Sequence, residues 1–116
     1  MAKKYNIKMY RGNTYITKLI QKSYEGNIDK IFFTARDEDD AVKISKSLNK
    51  GITKIENEDA YKLTLSPADT NDLKIGVYKY DVEIHINDFV KTILVGNLNL
   101  LEEQTRKEQE EEIQDV

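Results

Sequence analysis

The 116-residue chain contains no cysteine and no tryptophan, and it has a single histidine and a single proline. Without cysteine there is no disulfide, no thiol nucleophile and no thiolate metal site. The lone His85 is the only side chain whose ordinary pKa lies near neutrality, so little material is present for proton transfer. No apolar run approaches the ~18 residues that a membrane-crossing helix needs, and the start MAKKYNIKMY lacks the apolar block of a secretion signal. Synthesis in the cytoplasm and no membrane partner are the expectations. Lys and Arg are nowhere clustered densely enough to grip phosphate, so nucleic acid is not expected as a partner either.

What is present is charge, at 34% of residues, beside 39% hydrophobic residues. That composition fits one domain with a thin core. The net charge of -3 is unevenly spread. Residues 102–116 (EEQTRKEQEEEIQDV) hold seven acidic and two basic residues, while residues 1–101 are close to neutral.

Residues 1–101 read as short segments of period-2 alternation separated by turn signals every 8–12 residues. In residues 5–10, Tyr5, Ile7 and Met9 share a face. TYITKLIQK is rich in β-branched and aromatic types. In IDKIFFTAR, Ile31, Phe33 and Ala35 share a face, and in AYKLTLS so do Tyr61, Leu63 and Leu65. VYKYDVEIHI is the cleanest: Tyr78, Tyr80, Val82, Ile84 and Ile86 on one side, with Val77, Lys79, Asp81, Glu83 and His85 on the other. FVKTILVGNLNLL is apolar on both faces in its middle, as expected of a covered strand. Residues 37–51 are ambiguous between a strand carrying Val42, Ile44 and Leu48 and a short helix starting near Asp39. The pattern predicts an all-β fold, an immunoglobulin-like antiparallel β-sandwich of about seven strands over residues 1–101. One short helix precedes the penultimate strand, and residues 102–116 form an acidic helical or disordered tail, or an arm ordered against a neighbouring subunit.

Each candidate for chemistry has a plainer reading. His85 lies on the polar side of its strand among Lys79, Asp81 and Glu83, where a solvated histidine is expected. The run Asp37, Glu38, Asp39, Asp40 suggests a divalent cation, but a calcium loop counted from Asp37 needs glycine and glutamate where Val42 and Leu48 stand. A solvated turn is the better reading. The pairs Gly12–Asn13, Gly26–Asn27 and Gly96–Asn97 lack the spacing of a phosphate loop. No catalytic, metal or cofactor residues are assigned. Tyr10, Tyr15 and Phe32 are the aromatics that could face outward, as a platform for a carbohydrate, whereas core packing is the expected role of most of the others. Ile93, Val95 and Leu101 on the last long strand are the candidate interface.

The stretch LSPADTNDLKIGVYKYDVEI carries the densest local signal. Ser66 can cap free helix amides, Pro67 sits where its missing N–H is harmless, and Asp69 meets the positive end of a helix. With Thr70 in the same turn, Gly76 restarts an extended chain and Tyr78 heads a long strand. This is the layout of the tyrosine corner of immunoglobulin-like sandwiches, in which a tyrosine hydroxyl bonds backbone a few residues upstream. Two residues on, where antibody domains place a cysteine, stands Tyr80.

The segments YRGNTY, YKLTLSPADTNDLKIGVYKYDVEI and TILVGNLNLL, in that order and spacing, resemble the N-terminal domain of the baseplate upper protein family of tailed phages and prophages. The family pattern runs as an RGDT-like start, an LTPxDTxxLxxGxYxYDV block and a closing glycine; Asn13 replaces its aspartate. The resemblance implies a small β-sandwich of the virion tail or baseplate, docking against other phage structural proteins as a likewise non-enzymatic homo-oligomer without cofactor. Family members often continue into a receptor-binding scaffold, whereas an acidic tail follows here.

Overall fold

The computed structural model describes residues 2–20, 28–102 and 109–113. Among them the elements follow as β1 (Lys3–Lys4), β2 (Ile7–Tyr10), β3 (Tyr15–Ile20), β4 (Lys30–Arg36), β5 (Val42–Leu48), β6 (Gly51–Lys54), β7 (Ala60–Leu65), α1 (Pro67–Thr70), β8 (Gly76–Ile86), β9 (Phe89–Leu101) and β10 (Gln109–Ile113). Hydrogen bonding joins the strands into one curled sheet in the order β1-β9-β8-β4-β5-β6-β7-β3-β10, with β2 also on β9. The centre is antiparallel: β9 on β8, β8 on β4, β4 on β5, and β7 on β3. β2 runs parallel to β9. This is the strand order of an immunoglobulin-like sandwich, with the β5 side extended as in variable-type domains.

Alternation decides which faces turn inward. Ile31, Phe33 and Ala35 of β4, Tyr61, Leu63 and Leu65 of β7, and Tyr78, Tyr80, Val82 and Ile84 of β8 are all buried in one cluster, joined by Ile7 and Met9 of β2. Tyr80 stacks on Phe33 at 5.3 Å between ring centroids, and its hydroxyl donates to the Tyr5 carbonyl at 2.5 Å. Packing and one hydrogen bond thus occupy the place of a disulfide.

β9 departs from strict alternation. Val82 pairs with Leu94 but Glu83 with Thr92, so Ile93 is an extra residue and both Ile93 and Leu94 face the core. That bulge is why this segment reads as apolar on both faces. Further along, the Tyr5 carbonyl crosses so close to Gly96 that an added Cβ would stand 1.9 Å from it.

Three strands lie beyond the sequence expectation. β1 precedes the first predicted strand, residues 5–10, of which β2 is the part that forms. β6 begins at the end of the ambiguous stretch 37–51 and continues into residues for which no strand was expected. The short-helix alternative near Asp39 is not taken: Asp37 Oδ1 accepts the amides of Asp39 and Ala41 at 2.9 Å each, closing a tight turn into β5. The expected helical or disordered tail is corrected at residues 109–113, which form a strand parallel to β3. The cause is an apolar side chain and an open edge: Ile113 inserts into the core opposite Leu19, and β3 offers backbone groups that would otherwise lack partners. The remainder of the tail lies outside the described residues.

Candidate functional site

The corner forms where β7 ends. Ser66 is extended, and its N–H and hydroxyl both donate to Asp69 Oδ2, at 2.7 and 3.1 Å. Lys46 of β5 brings its ammonium within 2.8 Å of the same oxygen, both side chains being about four-fifths buried. One carboxylate oxygen therefore gathers three donors from two elements. Thr70 is fully buried, and its hydroxyl oxygen accepts the Gly12 amide at 2.8 Å. The Arg11 guanidinium donates to the Leu73 carbonyl at 3.2 Å. Gly76, with φ +150°, turns the chain into β8, and the Tyr78 hydroxyl donates to the Lys74 carbonyl at 2.7 Å. Burial, aided by the Asp37 charge, pushes the Tyr78 hydroxyl above the ordinary tyrosine pKa and keeps it a donor. Ser66, Pro67, Asp69, Thr70, Gly76 and Tyr78 are thus brought together, and they tie the β2–β3 turn, β5 and β8 to one point.

Two grooves flank this framework. One, of about 330 Å³, runs past the corner between Asp37, Lys43, Asp72, Lys74, Ile75 and Val77. The Ala41 amide holds the Asp37 carboxyl below the ordinary aspartate value, with the Asp39 amide and Lys43 adding to it. The other, of about 650 Å³, crosses the outer face of β8 and β9 between Lys4, Tyr5, Arg36, Lys79, Asp81 and Asn97. Burial raises the Asp81 carboxyl while Arg36, 3.9 Å away, pulls it the opposite way. Both grooves carry charges of both signs among their lining residues.

His85 sits on the outer face of β8 with Nε2 2.8 Å from Glu83 Oε1 and the Phe32 ring edge-on at 5.3 Å. Among the described residues no group of three or more His, Asp or Glu is placed to hold a metal ion, and no helix is long and apolar enough to cross a membrane. The aromatic platform does not assemble. Tyr15 is 0% exposed in the core. Tyr10 pairs with Leu101 and Phe32 with Glu83, about eight strand residues apart, or roughly 25 Å along the sheet.

The expected interface trio is divided as well. Ile93 is 4% exposed and spent in the core, because of the bulge; Val95 and Leu101 are partly buried, opposite Asp81 and Tyr10. The large apolar side chains at the surface are others: Val42, Ile75, Val77, Phe89 and Val90. Val77 was visible in the sequence as the apolar exception on the polar side of β8. Also unanticipated are Asn13, 2% exposed with neither amide atom hydrogen-bonded, and Thr17, buried with an unpartnered hydroxyl.

No family model and no curated protein matches the chain. Among solved structures, it is similar to the extracellular domains of the voltage-gated sodium channel beta4 subunit, described as parallel homodimers that explain a role in cell–cell adhesion. The two are 15% identical, the match covers 90% of this chain and 96% of the other, and the TM-score is 0.41.

Proposed function

We propose that the chain is a non-enzymatic structural module of a tailed phage or prophage that acts by docking its surfaces to other subunits of the tail or baseplate. The observation that carries this reading is how the most family-like block is used. The polar side chains of the corner, Ser66, Asp69, Thr70 and Tyr78, all bond other parts of the chain and so hold its strands together. A block built in this way is a framework, and work is left to the surfaces around it. The phage assignment rests on the sequence resemblance. Symmetric repetition would let a modest contact on each copy add up across an assembly.

The test is the protein content of phage particles induced from the source strain and purified. The chain should be present at a fixed copy number per tail, and antibodies to it should mark the tail or its tip. Its absence from intact purified particles would overturn the proposal. The carbohydrate alternative has lost its shared platform, with Tyr15 in the core and Tyr10 and Phe32 far apart.

A further inference from the structure

β5 has a full neighbour on one side only. β4 pairs with it from residue 42 to 47, whereas β6 meets it only at Ser47 and Leu48 before running along β7. Among the described residues no strand lies beside residues 42–46 on the side away from β4. Ser47 shows which backbone groups that side holds. Its N–H donates to the Lys50 carbonyl at 3.1 Å, and its own carbonyl accepts the Lys50 amide at 2.8 Å, so both groups turn away from β4. Alternation along the strand turns those of Ser45 the same way, where the sheet supplies no partner. Val42, Lys43 and Ser45 are exposed, and Val42 is a large apolar side chain at the surface. Lys46 leaves the edge open: it pairs with core-facing Phe33 and runs past Gly51 to Asp69 beneath the strand.

Charge is divided along this edge. The turn entering β5 carries Glu38 and Asp39, and the turn leaving it carries Lys50, all exposed. Among the described residues none of these three side chains has an ion-pair partner, unlike Lys43 and Lys46, which are held by Asp37 and Asp69. A twofold axis perpendicular to the sheet, passing beside Ser45, lays β5 of one copy antiparallel to β5 of the other and keeps both core faces on one side. The Ser45 N–H of each copy then meets the Ser45 carbonyl of its partner. The acidic turn of each copy comes to the Lys50 end of the other, and does so twice. A parallel pairing would set acidic turn against acidic turn, so the same charges oppose it.

We propose that the open edge of β5 is a self-association surface, joining two copies of the chain as an isologous dimer whose sheet runs on across the twofold axis. The proposal rests on the assembly reading above and names one partner within it, a second copy.

Sedimentation of the whole chain at rising concentration tests it. The expected result is a monomer–dimer equilibrium whose dissociation constant rises about tenfold or more from low to high ionic strength. Ser45→Pro removes the N–H used across the axis and leaves the β4 side paired, so that variant should be folded and monomeric. Glu38→Lys/Asp39→Lys should be monomeric, as should Lys50→Glu. Mixing these two should restore a one-to-one dimer, since each turn then meets the opposite charge. Should Ser45→Pro fail to fold, the charge reversals decide alone, because they fall on exposed side chains that pair with no other charge of the chain. A monomer at every concentration, or a dimer indifferent to salt, to Ser45→Pro and to charge reversal, overturns the proposal. Those results would leave docking to other particle proteins to the separate particle test.

Discussion

Around α1, buried polar groups meet partners: Asp69 takes three donors, Thr70 takes the Gly12 amide, and Tyr78 reaches the Lys74 carbonyl. One residue past Gly12 the pattern reverses. Asn13 and, four residues later, Thr17 are buried with side-chain atoms that meet nothing. A buried group without a hydrogen bond costs on the order of 1–3 kcal/mol, so the corner and the start of β3 stand on opposite sides of the same accounting. The contrast teaches that one side of this sandwich is finished for stability and the other is not.

Four substitutions and one titration press on that contrast. Gly96→Ala should act most strongly, about 3 kcal/mol of lost stability by denaturant unfolding, because its Cβ would meet backbone of the segment after β1. A loss under about 1 kcal/mol would mean that this segment simply lifts away. At the corner, Tyr78→Phe should cost about 1 kcal/mol or more, since the Lys74 carbonyl loses its donor. An unchanged melting temperature would remove Tyr78 as the pin. On β3 the sign should invert: Thr17→Val removes an unpartnered buried hydroxyl and should be neutral or stabilising by up to about 1 kcal/mol. Destabilisation would show a partner that Thr17 keeps in solution.

The smallest effects concern two carboxylates. The folded pKa of Asp37 is depressed, so its stabilisation is present above the unfolded-state value and fades as pH falls through the lower folded one. Asp81 is raised, so its ionisation opposes folding above the folded value, and that opposition vanishes in acid. Carboxyl titration by NMR should place the two on opposite sides of the ordinary aspartate value. Asp81→Asn should raise the unfolding midpoint at neutral pH but not in acid; the reverse pattern would contradict the assignment.

Much of the fold was legible because β4, β7 and β8 alternate cleanly, and period-2 burial leaves little freedom of register. The corner was legible because Ser66, Pro67, Gly76 and Tyr78 each have a local conformational reason for their place. The rest depended on distant parts of the chain. The bulge that buries Ile93 is set by pairing with Val82 and Glu83, which local periodicity does not show. β10 was hidden since Gln-Glu-Glu-Glu-Ile has weak strand propensity, and only Ile113 reaching the core beside Leu19 reveals its place. Tyr15 sat on an uncertain register until β3 paired with β7, which turns it inward.

Hydrogen exchange of the whole chain sets the two regions side by side. The amides of Gly12, Asn71 and Leu73 around the corner should exchange only through global unfolding. Those of β10, an end strand that pairs with β3, should exchange faster, through local opening. Equal protection of β10 and the corner would contradict the division of labour between them.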